Sequence, residues 1–562
     1  MINASQVEFD SLAEQVRSLL GSVDRLQAEV GQLRRENADL RKQVSQLRCD
    51  AGYWKSRHAD ALKRNELVKT DLEQAKGEIR LLRAEHFGKR SEKQWAVDRS
   101  GGSDDAKQPA KKNKRGQQPG RPAPKRRDYS HMPVRTHSVD LPEKDKACGD
   151  CGKPLESLGY REDGQQLEIK TIVYRRIVRR GRYRRTCQCE RPQTVTAPQP
   201  PKLLSKSLLG RSVWTHLLID KFHLQRPMHR TLKNLELLGL DLAAGTITDG
   251  FRQIAPLMTP IYEAIQARQA RSKYLHADET RWKVFTEKTG KKGYRWWLWV
   301  FAGNGAVNFV LDPSRSHEVP QLHCPEKSGA ILVVDRYSGY KAMEQVGNGK
   351  LRLAFCWAHV RRDFMRVGKS YQQLQRWSLQ WLARIKHLYH LNRRRLQCRP
   401  GTKKLSKAEA TLRKHVDSMA AERDAELSDS SLCQPCCKVL ESLKGHWPGL
   451  TRFVQDSGIP LDNNYSERLI RNPVIGRKNY YGSGVEWSGQ MAVTMFSIFA
   501  TLETWKINPR TWLNDYIAAC AQSGGIPQNP ESFLPWKLSK KRLATLQRPT
   551  DEQDIDTCLL YT

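Results

Sequence analysis

Leucine recurs every seven residues from Leu12 through Leu19, Leu26, Leu33 and Leu40 to Leu47, and no other feature so narrows what this chain can fold into. Val16, Val23, Val30 and Val44 stand four residues after a leucine, with Asn37 at the same position of its own heptad. Leu at d with Val at a is a coiled-coil seam that favours two parallel strands, and one polar residue at a fixes register at some cost in stability. The phase weakens at Ala51, His58 and Asn65, then returns without slipping at Val68, Leu72, Ile79 and Leu82. Six unbroken leucine heptads argue against a helix packed only on its own domain. The pattern predicts a homodimer or higher oligomer formed through residues 12–82.

The rest of the chain must hold several more domains, since 562 residues are three or four domain lengths. Lys and Arg number 96 against 60 Asp and Glu, a formal charge of +36. So large an excess calls for a polyanionic partner, nucleic acid before membrane surface. The apolar run Ala330–Val334 is far short of the roughly 18 residues of a membrane span. The N-terminus lacks a signal-peptide core. These features predict no membrane association and a cytoplasmic, nucleoid-associated protein. The 13 cysteines then read as reduced thiols plus one metal site.

Residues 101–127 are rich in Gly, Pro, Gln and basic residues and carry no hydrophobic periodicity, the composition of a flexible segment. Arg121, within Pro119-Gly120-Arg121-Pro122, suits a DNA minor groove, and a solvated basic linker fits as well. Cys148-x2-Cys151 and Cys187-x-Cys189 are four thiolates for a structural zinc, with Gly149 and Gly152 permitting the knuckle turn. Between them, Ile169 to Arg185 reads as a strand or hairpin whose Arg175, Arg176, Arg179 and Arg180 face phosphates. Residues 205–270 look helical. There Gly245-Thr246-Ile247-Thr248-Asp249 reads as a turn entering a recognition helix, and a plain helical linker domain fits equally.

Three carboxylates stand out beyond residue 270. Lys273 to Phe285 reads as a strand with Asp278 inside it, and Gly329 to Asp335 as a buried strand ending in an acid. Further strands over 295–311 and 352–355, followed by helices, make a mixed α/β sheet in which the two acids can meet. Buried carboxylates are costly unless paired or metal-bound, and Mg²⁺ suits such a cluster. Glu467 follows Asn463 and Asn464, which can cap a short helix ending near Asn472, before Pro473. Taken singly, Asp278 also suits a strand-end turn, Asp335 an N-cap, and Glu467 a capping box or a pair with Arg471. His359 reads as a core histidine or a polar aid. Cys433, Cys436 and Cys437 lack a matching second pair and predict no metal.

The chain resembles the insertion-sequence-66 family of bacterial DDE transposases. The likeness rests on the leucine heptads, Phe87-Gly88-Lys89-Arg90-Ser91-Glu92-Lys93, Gln118-Pro119-Gly120-Arg121-Pro122 and the cysteine pairs. It is strongest in His276-Ala277-Asp278-Glu279-Thr280, Asp335-Arg336-Tyr337-Ser338-Gly339-Tyr340 and Cys356-Trp357-Ala358-His359-Val360-Arg361-Arg362. Most specific are Leu461-Asp462-Asn463-Asn464-Tyr465-Ser466-Glu467-Arg468 and Gly476-Arg477-Lys478-Asn479. Trp282 stands where a small residue is expected, and Arg336 where Gly is common.

The resemblance implies an RNase H-like fold with Asp278, Asp335 and Glu467 as catalytic acids holding two Mg²⁺ ions roughly 4 Å apart. It implies cleavage at the 3′ ends of the element and direct joining to target DNA. The double-stranded element ends and target would be partners, together with companion proteins of the same element. Arg471, Arg477 and Lys478 become candidates for gripping the transferred strand.

The expected layout is multidomain. A coiled coil spans 1–90, a basic linker 91–135, a zinc-binding β module 136–200 and a helical domain 201–270. An α/β RNase H-like catalytic domain takes 271–365 and 451–530, with a helical insertion at 366–450 and a tail at 531–562. A DNA-binding regulator without catalysis, or a nuclease without strand transfer, are the competing readings.

Overall fold

In a computed structural model of the chain, residues 4–87, 132, 134, 136, 138–157, 166–169, 171–187, 190, 192, 194–287, 293–324 and 329–547 are described. The chain forms two compact units, one of Met1–Gly88 with Val178–Thr562, the other of Lys89–Ile177. Arg121 and Cys189 lie outside the described residues.

Helix α1 (Ala4–Phe87) is one uninterrupted rod of 84 residues, about 126 Å long at 1.5 Å per residue. The leucines and valines of its seam, from Leu12 to Leu47, are 45–66% exposed in the single chain. Gly77 is where α1 touches the body of its own unit. It is buried against Tyr371, and a Cβ at that glycine would lie 2.0 Å from the tyrosine ring.

The small unit is described mainly around its first cysteine pair. Cys148 N donates to the Lys153 carbonyl and Gly152 N to the Cys148 carbonyl, at 2.8 and 2.9 Å. Gly152 takes φ +72°, which side chains disfavour, so glycine is required there. Strands β1 (Arg182–Arg184) and β2 (Thr194–Thr196), in the large unit, form a short exposed antiparallel pair. The strand expected over 169–185 is therefore only three residues long. Ile169, Ile172, Tyr174 and Ile177 are all exposed, so that stretch has no core to face.

Helices α2 (Arg211–Leu218), α3 (Met228–Leu237) and α4 (Ala244–Gln269) come next, with a π-helical turn, Ile219–His223, continuing α2. The segment Gly245–Asp249 begins α4 rather than preceding it. Ile247, Phe251 and Ile254 recur at helical spacing and are buried, which draws those residues into the helix.

The sheet comprises β3 (Tyr274–Lys283), β4 (Arg295–Gly303), β5 (Ala306–Asp312), β6 (Ala330–Val334) and β7 (Leu351–Phe355), in the order β5-β4-β3-β6-β7. β3, β4 and β5 form an antiparallel meander, and β6 and β7 add parallel to β3 on its other edge. α5 (Glu318–His323) lies on the crossover to β6, and α6 (Ser338–Lys341) and α7 (Glu344–Gly347) on the crossover to β7.

Beyond β7 the chain is helical: α8 (Trp357–Ser370), α9 (Gln375–Leu396), α10 (Lys403–Ser428), α11 (Gln434–Gly445) and α12 (Trp447–Leu450). Then come α13 (Asn464–Tyr480), α14 (Glu486–Thr504), α15 (Pro509–Ser523) and α16 (Lys540–Leu546). Both faces of the sheet are covered. Trp296, Leu298, Val300 and Ala302 of β4 enter a core with α4 and α14. Trp299 and Phe301 enter a second core with β6, β7, α8 and α9. This is the two-residue period of a strand buried on both sides.

Two further expectations are corrected. The helix carrying Glu467 does not stop before Pro473 but runs on to Tyr480. Proline there removes one helical hydrogen bond. Pro473 is nevertheless buried, and both halves of the helix are tied to residues at the end of the π-helical turn and just beyond it. Asn472 Nδ2 donates to the His223 carbonyl at 3.0 Å and Asn479 Nδ2 to the Gln225 carbonyl at 2.8 Å. In addition, residues 531–547 of the expected tail pack through Leu534 and Leu546 into the core with α4 and α15. Among the described residues no helix is long and apolar enough to cross a membrane.

Candidate active site

Parallel pairing of β3 with β6 sets His276 beside Val333. Two residues further along each strand stand Asp278 and Asp335, so the register brings them level at the carboxyl end of β6. Burial pushes the Asp278 carboxyl well above the usual range, and the charges of Glu279, Asp335 and Glu467 push it the same way. Asp278 Oδ1 accepts from the Glu279 backbone N at 2.9 Å, and Asp335 Oδ1 from the Tyr337 backbone N at 2.9 Å. Each carboxylate is thereby turned by its own chain.

Glu467 reaches this cluster because the loop before α13 is fastened to β3 and to the start of α8. Asn463 Nδ2 donates to the Ala277 carbonyl at 2.7 Å, and its Oδ1 lies 3.0 Å from His276 Nδ1. Trp357 N donates to the Leu461 carbonyl at 2.8 Å. Asn463 is the N-cap residue of α13, but its side chain serves β3 instead of capping. The Glu467 carboxylate is no capping-box partner either. Its Oε1 accepts from Arg362 Nη2 at 2.6 Å and lies 3.8 Å from His359 Nε2. Burial first, then Arg362, hold the His359 imidazole at a pKa of about 4, so it is neutral.

A fourth acid belongs here that sequence reasoning passed over. Glu279 alternates to the opposite face from Asp278. Its Oε1 accepts from Arg315 Nη2 at 2.6 Å and its Oε2 from the Tyr340 hydroxyl at 2.7 Å. Arg315 sits over the rings of Tyr337 and Trp297, at 3.8 and 4.6 Å. The signal for Glu279 was its direct adjacency to Asp278, which reads as redundancy until the two faces are separated. Arg362 was legible only as the last residue of the stretch from Cys356.

The two residues that depart from the family pattern have structural roles. Trp282 is buried at 2% exposure and donates from Nε1 to Ser483 Oγ at 3.1 Å. Arg336 pairs with Asp363 and donates to Ser442 Oγ at 3.0 Å, binding the residue after Asp335 to α8 and α11.

The basic candidates divide by place. Arg471 and Lys478 are exposed along α13, and Arg175, Arg176, Arg179 and Arg180 are exposed ahead of β1. Arg477 donates to Thr280 Oγ1 at 3.0 Å and to the Arg281 carbonyl, bracing the strand that carries Asp278.

Among the described residues, no three His, Cys, Asp or Glu side chains are arranged around one point as metal ligands. With Glu467 turned to Arg362, the three carboxylates converge without closing on a common centre. Their chemistry still fits Mg²⁺, which takes hard oxygen donors. Burial first, and then the neighbouring carboxylates, raise the Asp278 carboxyl, a repulsion that a bound cation would relieve. Of the zinc candidates, Cys148 has its thiol lowered by the backbone N–H groups of Asp150 and Cys151.

Residues 206–491, just over half of the chain, match the family model described as Transposase IS66 family. Three relatives from Sinorhizobium fredii (strain NBRC 101917 / NGR234) are similar over most of the chain. Uncharacterized protein y4jD is 23% identical over 72% of this chain and 80% of its own length. Uncharacterized protein y4hP is 24% identical over 73% and 76%, and uncharacterized protein y4qI 25% identical over 74% and 78%.

Proposed function

This chain belongs to the Transposase IS66 family, and from that premise we propose a DNA transposase that binds the ends of an insertion sequence, cuts their 3′ strands and joins them to target DNA. The observation that carries the reading is the coupled cluster of Asp278, Asp335 and Glu467, drawn together from three distant segments. The strand order, an antiparallel meander with two parallel strands added beside β3, supports an RNase H-like core.

Asp278, Asp335 and Glu467 would hold two Mg²⁺ ions, which when bound supply Lewis acids for the attacking hydroxyl and for the departing phosphodiester oxygen. The chain's own residues do the rest. Asn463 holds the start of α13, the helix that carries Glu467, against β3. Arg315, stacked on Tyr337 and Trp297, fixes Glu279 and the loop after Asp335. Arg471 and Lys478 supply positive charge along the same helix as Glu467, suited to the phosphates of the strand being cut.

The exposed seam of α1 fits a second copy of this chain and would bring two element ends together. The exposed arginines from Arg175 to Arg180, with Arg121, add sequence-independent attraction for DNA. The preformed turn at Cys148 and Cys151 suits a pair of thiolate ligands. The domain boundaries read from the sequence remain part of this proposal, with 366–450 as the helical insertion.

The test is cleavage and joining of a plasmid carrying the DNA that flanks this gene, with Mg²⁺, by wild type and Asp278→Asn. Metal-dependent nicks and joined products, lost in the variant, are expected. Nicks without joining would make it a nuclease. Equal binding and no cutting by either protein, with the element's companion proteins added, would make it a regulator.

A further inference from the structure

Beside the acid cluster, on another face of α13, lies a cavity of about 190 Å³ that the proposed reaction does not use. Its floor is aromatic: Phe222 from the π-helical turn, Phe309 from β5, and Phe496 and Phe499 from α14. Phe496 meets Phe222 and Phe309 edge-on, at centroid distances of 6.3 and 6.0 Å. The mouth is different in kind. Tyr465 and Arg468, which bracket Glu467 in sequence, stand on one side, and Ala500 and Glu503 of α14 line the other.

The volume decides what class of ligand fits. Sites for drug-sized molecules run to roughly 300–1,000 Å³, so this cavity holds one flat ring system and little more. Edge-reading groups are at hand. Asn472 and Glu503 are the polar side chains of the lining besides Tyr465 and Arg468. The Tyr465 ring meets the His276 ring at 5.3 Å, and His276 precedes Asp278 by two residues on β3. A ring seated in the cavity would thus hang from a strand that passes the acids. Exposed Arg468 and Arg471 on the same helix suit the phosphates of that strand.

We propose that this cavity receives one nucleobase turned out of the DNA strand next to the cleaved bond. The proposal rests on the transposase reading and adds a binding subsite to it. Enzymes that act on a base turn it out of the stack, and aromatic rings replace the lost stacking; here the half-buried ring of Tyr465 would do so, since the four phenylalanines below it are core side chains at most 5% exposed. Holding one extruded base would fix which phosphodiester bond lies over Asp278 and Asp335.

The test uses the full-length protein and duplexes from the element end in which 5-iododeoxyuridine is moved one position at a time. On irradiation, one position is expected to cross-link to a peptide containing Tyr465, Phe496 or Phe499. Ala500→Phe plugs the mouth while leaving the acids in place. It should remove that cross-link and slow cutting roughly tenfold, the loss of one stacked base. An abasic nucleotide at the cross-linking position should restore cutting by the plugged variant, which a merely misfolded protein would not show. Cross-links that avoid the cavity, wild-type cutting by Ala500→Phe, or rescue at no position would each overturn the proposal. Failure of the transposase reading looks different: wild type would cut nothing, and the cross-link map, which needs only binding, would still decide whether a base enters.

Discussion

Arg362 Nη2 donates to Glu467 Oε1 at 2.6 Å, so a guanidinium neutralises an acid of the proposed metal set. The pair is about three-quarters buried on the Glu467 side. A cation entering between the carboxylates must compete with Arg362 for this oxygen. Arg362→Met should therefore act oppositely in the two states. Without metal, the acid cluster loses a partner and stability falls, by about 1.5–3 kcal/mol as for hydrogen bonds to charged groups. With Mn²⁺ or Mg²⁺ added, the rise in melting temperature should exceed that of wild type. Differential scanning fluorimetry across a metal titration reads both, and equal metal-induced shifts in the two proteins would show that Arg362 does not compete.

Trp282 packs edge-on against Tyr480 and Phe496, 6.3 and 6.0 Å between centroids, and bonds Ser483. It thus joins β3, the end of α13 and α14 within the core behind Asp278. Trp282→Ala should cost about 3–5 kcal/mol by urea denaturation, as large aromatic truncations in cores do. Trp282→Phe should cost less, though it leaves the Ser483 hydroxyl without its indole partner. A loss under about 1 kcal/mol for the alanine variant would mean that the pocket collapses freely around the missing ring.

What the sequence revealed and what it hid share one physical cause. Asp335 was legible because a fully apolar strand ends on it, and Asp278 because it interrupts a strand of alternating burial. Both are local patterns. Glu467 was legible only through the resemblance, since by spacing it suits a helix cap. Long-range bonds, among them those from Asn463 to Ala277 and His276, close to 190 residues away in sequence, turn its helix toward the acids. Glu279 was hidden by adjacency, because two neighbouring acids on a strand face opposite ways. Pro473 misled for the converse reason. Its local cost is real, but tertiary ties through Asn472 and Asn479 outweigh it.

The seam of α1 makes a plain prediction about assembly. Leu19, Leu26 and Leu33 are 65%, 59% and 54% exposed in the single chain. A stripe that apolar on a rod this long is stable only when another copy covers it. Light scattering of the full-length protein should give a dimer or higher oligomer. The combined Leu19→Lys, Leu26→Lys and Leu33→Lys variant should scatter as a monomer, with the body of its unit still folded. A wild-type monomer at micromolar concentration would refute the seam's role. Asn37→Leu should tighten association and relax the choice of oligomer, since the polar a residue is what fixes it.

Lys221 sets a pH dependence whose sign is fixed by its surroundings. Its Nζ lies 3.5 Å from the centre of the Tyr480 ring, a contact that favours the charged form. Burial wins, however, and lowers its pKa to about 8. In the unfolded chain a lysine titrates near about 10.4. Between these values the unfolded lysine holds a proton that the folded one has lost, so the contribution of Lys221 to stability rises with pH across that window and is flat just below it. Burial pushes the Tyr480 hydroxyl above its usual range, which works the other way from about pH 10 upward, so the Lys221 effect is read as the difference between two proteins that both carry Tyr480. Lys221→Met removes the buried charge and keeps the stem. It should flatten the rise between pH 8 and 10 and raise stability at pH 7. Urea midpoints measured at pH 7, 8, 9 and 10 for both proteins check this, and parallel curves would show that Lys221 stays solvated and charged throughout.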